Sequence, residues 1–207
     1  MMNESSRAGK STAAMILAAG VGSRMGALKQ LLPYRDGTLL THTIRQAELA
    51  GFDRIIVVIG AHAAEVKSAI RHLNVEVAEN EDWETGMASS IFAGLQQLET
   101  SGPNASQLAI LLADQPHVTA EHLLGMRRVA GEVQTPVVAA SYDGVLGVPA
   151  LFRPEVFPML ASLGADSGAR SLFRGGKVQV TPFPLPEAAT DIDTPADFEA
   201  VTSKPPE

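Results

Sequence analysis

The chain has 207 residues, 45% of them apolar and 5% aromatic, and a formal net charge of −7. A length of this order sits at the upper end of a single α/β domain and can bury a substantial core. The acidic balance excludes a broad nucleic-acid or anionic-membrane surface, which needs a basic face, and the absence of cysteine excludes disulfides and thiol catalysis.

Residues 1–12 are polar and lack the apolar stretch of a signal peptide, so they read as a flexible leading segment. No apolar run reaches the ~20 residues of a membrane span, and a cytoplasmic protein is expected. Residues 13–19 form a short apolar run typical of a buried strand, which breaks into a turn rich in glycine. Residues 39–50 read as a helix that Gly51 closes at C′. The run 54–60 is a central parallel strand, 63–73 a helix, 75–78 a short strand and 88–98 a helix. The cluster 101–106 reads as a surface loop, 108–113 as another buried strand, and Thr119 as the N-cap of a helix to residue 129. Beyond residue 135, strands are expected at 137–141, 145–152 and 178–183 with shorter helices between them, and 203–207 as a frayed tail.

This alternation predicts an α/β fold: one doubly wound, mostly parallel sheet with helices on both faces. Residues 13–134 would form a nucleotide-binding half and 135–202 an acceptor half on the same sheet. Ligands in such sheets bind at the carboxyl ends of the strands. The turns after Ala19 and Ala113 both fall there.

The first of these turns carries Gly20, Gly22 and Gly26, with Arg24 and Lys29 within and just after it. Between Glu4 and Asp36 there is no acidic residue, although the chain is acidic overall. Glycine lets a backbone approach a ligand closely, and successive amides in such a turn suit an anion. A bound phosphate is the expectation, against an ordinary strand-to-helix turn, which would explain the glycines but not the two cations. The spacing Gly20-x-Gly22-x-x-x-Gly26 is one residue too long for the dinucleotide fingerprint. Gly9-Lys10-Ser11 mimics the end of an ATPase P-loop, but Glu4 stands at its first glycine and no strand precedes it.

The segment from Leu17 through Gly20, Arg24 and Lys29 to Pro33 resembles the signature loop of the nucleotidyltransferases that act on the molybdenum cofactor, above all the cytidylyltransferase branch. The resemblance recurs in order at Asn80 with 86–90, at 113–116, at 147–149 and at 191–197, so it covers nearly all of residues 13–201. It implies a nucleotide-diphospho-sugar-transferase-like, Rossmann-like sheet and Mg²⁺-dependent transfer of CMP from CTP to the terminal phosphate of molybdopterin or the molybdenum cofactor. A client molybdenum hydroxylase is the partner it suggests. GTP in place of CTP, another phosphorylated acceptor, and a non-catalytic cofactor carrier stay open as alternatives.

Nucleotidyl transfer brings two polyanions together in line, so positioning and charge neutralisation are its main demands. The loop from Ala19 to Gly26, with Gly20, Gly22 and Ser23, would wrap the triphosphate, and Leu17 and Ala18 before it would belong to the nucleotide site. Arg24 would clamp the β- and γ-phosphates, and Lys29 would stabilise charge building up at the α-phosphorus. The segment with Asn80, Gly86 and Ser90 would either close over base and ribose or form a polar β-to-α loop whose serines cap a helix. By the family comparison, Ala18-Ala19-Gly20 goes with CTP. Asp114, at the end of an uncharged strand, either caps the following turn or offers a carboxylate to magnesium; with the resemblance it reads as a metal ligand. Thr194, Pro195 and Asp197 are explained as an N-cap, first helical position and capping-box partner; Asp191 and Asp193 have no such explanation, and the resemblance implies that one or both help to hold the metal or phosphates. For the acceptor the resemblance points to Gly147, Pro149, Ser167, Gly168 and Arg170. Trp83 reads as packing and His117 as a surface-loop histidine.

Overall fold

The structure, a computed structural model, describes residues 11–22, 25–102, 105–165 and 167–203. The phosphate contacts expected of Ser23 and Arg24, the leading residues 1–10 and the tail from 204 lie outside them. In chain order the strands are β1 (Ser11–Leu17), β2 (Pro33–Tyr34), β3 (Gly37–Thr38), β4 (Arg54–Ile59), β5 (Glu76–Glu79), β6 (Ala105–Leu112), β7 (Val137–Tyr142), β8 (Val145–Phe152) and β9 (Val180–Pro184). The helices are α1 (Leu39–Leu49), α2 (Ala63–Ile70), α3 (Met87–Thr100), α4 (Ala120–Glu132), α5 (Phe157–Ala161) and α6 (Pro195–Thr202). No helix among the described residues is long and apolar enough to cross a membrane.

Seven strands form one sheet in the order β5-β4-β1-β6-β8-β7-β9, and β2 and β3 make a separate two-stranded ribbon. Side-chain alternation on β1 divides the core: Ala14 and Ile16 pack on one face with α1, α2 and α4, Ala13 and Met15 on the other with α3 and α5. Helices therefore cover both faces, as the β-α alternation requires. The β6–β8 pairing joins the two expected halves edge to edge within one sheet.

Several boundaries differ from the sequence reading. β1 starts at Ser11, where the amide of Thr12 donates to Asp53 Oδ2 at 2.7 Å and extends the strand. It ends at Leu17, two residues before the expected boundary, although the Ala18 amide still reaches the Val58 carbonyl at 2.9 Å. β6 begins inside the expected loop, Ala105 pairing with Ser11. β8 alone runs against its neighbours, antiparallel to both β6 and β7. No helix separates β7 from β8, contrary to the expectation of short helices between these strands. Asp143 and Gly144 connect them directly, with φ of 49° and 73°, the left-handed pair that a two-residue hairpin demands. Local capping follows the sequence closely: Gly51 takes φ 72° after α1, and capping boxes open α4 at Thr119 and α6 at Thr194.

Candidate functional site

The carboxyl ends of β1 and β6 open into a cleft of about 480 Å³. Leu17, Ala18, Ala19, Gly20 and Gly22 form one wall, Lys29, Asp114 and Asp193 the floor, and Trp83, Gly86, Met87 and Ser90 the opposite wall. Gly20 has an ordinary φ, and a Cβ there would meet no protein atom within 4 Å. The space a side chain would fill is therefore the cleft itself. Gly22 is different: its φ of 61° and the Ala27 carbonyl 2.8 Å from a hypothetical Cβ make glycine obligatory. Gly26 takes φ 65° in the turn that follows but does not line the cleft.

A short 3-10 helix over Lys29–Leu31 turns two polar side chains inward. Gln30, which the sequence did not single out, is buried, and its Nε2 donates to the carbonyls of Ala18 and Gly20 at 3.2 and 3.4 Å. It braces the glycine turn from within. Lys29 Nζ lies 2.5 Å from Asp114 Oδ2 and 2.9 Å from Asp193 Oδ1. Burial alone would lower the lysine's pKa, but the two carboxylates outweigh it and hold the ammonium above its usual range. Lys29 is thus a fixed cation.

Asp193 is aimed by local structure. Its amide and that of Thr194 both donate to Asp197 Oδ2, at 3.1 and 2.8 Å, so the α6 capping box orients the acidic segment. A second tie runs from the Ile192 amide to the Asp114 carbonyl, 3.1 Å. Asp191 lies at the mouth of this cluster, and its carboxyl is pushed up to about 6 by partial desolvation, then by the charges of Asp114 and Asp193. Because the residue keeps a solvent-exposed surface, the like charges are the part of that shift a bound cation would reverse.

Among the described residues no group of three or more His, Asp or Glu side chains is arranged to hold a metal ion by itself. Asp114 Oδ1, however, is buried without a hydrogen-bond partner beside the cleft. A carboxylate oxygen removed from water and left unpaired is costly. Together with Asp193 this fits a hard cation that takes one or two carboxylates and completes its shell with substrate phosphates and water.

Asn80 stands behind the wall rather than on it. It is buried, and its Nδ2 donates to the hydroxyls of Ser89 and Ser90 at 2.9 and 3.0 Å, which shapes the start of α3. Trp83 both lines the cleft and packs its Cβ and ring against Gly60, where a side chain could not fit. The five residues expected at the acceptor lie beside the cleft, not within it. Gly147 is closed in by the Tyr142 ring, and Pro149 is buried after a cis peptide bond. Ser167 follows α5, Gly168 touches Met87, and Arg170 is exposed over a small depression shared with Phe173 and Arg174.

Gln115, another residue the sequence left unremarked, joins these parts. It is 2% exposed, and its Nε2 donates to the carbonyls of Ala188 and Val148 at 2.8 and 3.3 Å. One side chain next to Asp114 thus anchors both the acceptor strand and the turn leading to Asp191. Replacing Gln115 with Leu should orphan the Ala188 carbonyl, while that of Val148 keeps the Tyr142 hydroxyl at 3.4 Å, and lower stability by roughly 1–3 kcal/mol in urea unfolding; a change under half of that would show the ties to be weak.

The pattern of the MobA-like NTP transferase domain matches residues 14–181. The chain belongs to that family. It is a nucleotidyltransferase. It is 29% identical to the purine catabolism protein PucB of Bacillus subtilis over 90% of this chain and 94% of that one. It is 27% identical to the molybdenum cofactor cytidylyltransferase of Escherichia coli, covering 92% and 94%. Among solved structures, Rv0371c of Mycobacterium tuberculosis superposes with a TM-score of 0.82 at 32% identity, over 95% of this chain and 99% of that one. A complex of the same protein with manganese superposes at 0.77, with 30% identity and 95% and 100% covered.

Proposed function

We propose that this MobA-like enzyme transfers CMP from CTP to the terminal phosphate of molybdopterin or its molybdenum form, with Mg²⁺ as cofactor, in the cytoplasm and in support of a molybdenum hydroxylase. The observation that carries the reading is Lys29 held between Asp114 and Asp193 at the floor of a glycine-walled cleft. A phosphate oxygen of the acceptor forms a bond to the α-phosphorus, the bond from that phosphorus to the bridging oxygen breaks, and pyrophosphate leaves with the electron pair. The nucleophile is already ionised near neutral pH, so no general base is needed. The glycine turn admits the triphosphate because Gly20 leaves the cleft open. Lys29, a permanent cation, answers the charge that builds on the α-phosphate oxygens. Asp114 and Asp193 would hold the metal, which supplies charge neutralisation to the phosphates; the manganese complex of Rv0371c supports a divalent ion. Ala18-Ala19-Gly20 at the inner wall and the likeness to the cytidylyltransferase support CTP.

The test is pyrophosphate release from CTP, GTP and ATP with Mg²⁺ and molybdopterin or its molybdenum form. Acceptor-dependent release with CTP well above GTP is the expected result; preference for GTP would overturn the base assignment, and no release with any nucleotide would overturn the acceptor. Asp114→Ala should lower turnover by at least roughly 10²-fold while circular dichroism stays unchanged. Full Mg²⁺-dependent activity in that variant would remove Asp114 from the metal site.

A further inference from the structure

Met87 is an anomaly in this cleft. It begins α3, it is a large apolar side chain, and it is 45% exposed although it lines the cleft wall. Nothing in the core requires it: Ala88 and Ile91, one and four residues on, face inward instead. Its thioether also lies against Gly168, where a Cβ would come within 2.7 Å of Met87 Sδ. Met87 therefore touches the segment that leads to Arg170 while its other side borders the nucleotide cleft.

Gly168 needs no special backbone freedom, since its φ is −90°. What its missing side chain makes room for is Met87. A flexible, polarisable thioether at the border of two subsites suits a flat ring, because sulfur packs favourably against aromatic faces and edges. We infer that Met87 is a specificity-determining residue that packs on a planar, apolar portion of the phosphate-bearing acceptor, with Gly168 as the notch that seats it. This rests on the pterin acceptor of the proposed function and adds the residue that reads its ring.

The experiment compares wild type, Met87→Ala, Gly168→Ala and the double variant in steady-state transfer to molybdopterin. In parallel, binding of neopterin monophosphate is followed by its fluorescence. Met87→Ala should raise the acceptor KM and the pterin Kd roughly five- to tenfold, with the KM for CTP and the thermal midpoint unchanged. Gly168→Ala pushes Met87 out of place and should show a similar loss, and adding it to Met87→Ala should cost nothing more. A rise in the KM for CTP instead would put Met87 in the nucleotide subsite and overturn the inference. So would unchanged acceptor and pterin constants, or a Gly168→Ala penalty that persists without Met87. Met87-dependent pterin binding in an enzyme that transfers no CMP to molybdopterin would uphold the inference and sink the proposed reaction. Absence of pterin binding in wild type would overturn the inference, and absence of CMP transfer beside it would sink the proposed reaction as well.

Discussion

Lys29→Ala should lose roughly 10²–10³-fold in turnover, the scale on which a single preorganised donor to a developing oxyanion acts. The same variant should respond to divalent cations in a way wild type does not. In wild type the ammonium neutralises Asp114 and Asp193 at 2.5 and 2.9 Å and reduces the repulsion they exert on Asp191. Without it, the Asp114 and Asp193 carboxylates face each other uncompensated on the cleft floor, with the charge of Asp191 nearby. The apo variant should then melt several degrees below wild type at neutral pH, and millimolar Mg²⁺ or Mn²⁺ should recover more of that loss than it adds to wild type. Calorimetric melting with and without metal checks both parts. An apo Lys29→Ala protein as stable as wild type and indifferent to metal would mean that the carboxylates are screened by water and do not form a cation site.

The second large effect concerns acid stability and a residue outside the candidate cleft. His42, on α1, is 8% exposed and packs edge-on against Tyr34 at 4.9 Å between ring centres. Burial, then the charges of Arg35 and Arg45, hold its pKa at about 4, while a hydrogen bond to the Pro116 carbonyl works the other way. Its Nε2 is buried without a partner, so the proton that meets Pro116 is on Nδ1. The folded imidazole therefore stays neutral where the unfolded one, near 6.5, already takes a proton. Between pH 6.5 and 4 the unfolded state binds more protons, so stability from His42 is complete above 6.5 and is lost as pH falls. The loss amounts to roughly 3 kcal/mol by pH 4. Asp191, raised to about 6, titrates in the same window with the opposite sign, although its exposure tempers its contribution. The effect thus appears in a difference. His42→Asn keeps a donor for Pro116 and removes the titration, so the gap between variant and wild-type unfolding free energies should shift in the variant's favour as pH falls from 7 to 4. A gap that does not change with pH would show His42 to be hydrated.

The local features of this protein were legible before any fold was known. The glycine turn, the buried strands, Thr119 and Thr194 as caps, and Gly51 at C′ each depend on a handful of neighbouring residues, and each stands in the structure where the pattern put it. The Asp143–Gly144 hairpin was equally local. Those two residues between apolar runs carry a strong turn signal, and β8 stands at 145–152 as the pattern predicts; its reversed direction, which the two-residue hairpin imposes, is what a mostly parallel reading does not contain.

The site itself is another matter. Lys29 meets carboxylates 85 and 164 positions away, and no periodicity spans such distances. Alternation could place Asp191 and Asp193 on one side of an extended segment but could not say which reaches the lysine. The Asp197 cap and the pairing of Ile192 with the Asp114 backbone decide that, pointing Asp193 inward. Gln30 and Gln115 look like ordinary polar residues until packing excludes water from them, and only then does every amide proton need a protein carbonyl. Composition and short-range pattern thus determined the strands, the caps and the glycine turn, because those free energies are set within a few residues. Which carboxylate pairs with Lys29, which amides brace the cleft and which apolar side chain stays exposed in it were decided only when the sheet closed, because burial and long-range charge are properties of the assembled fold.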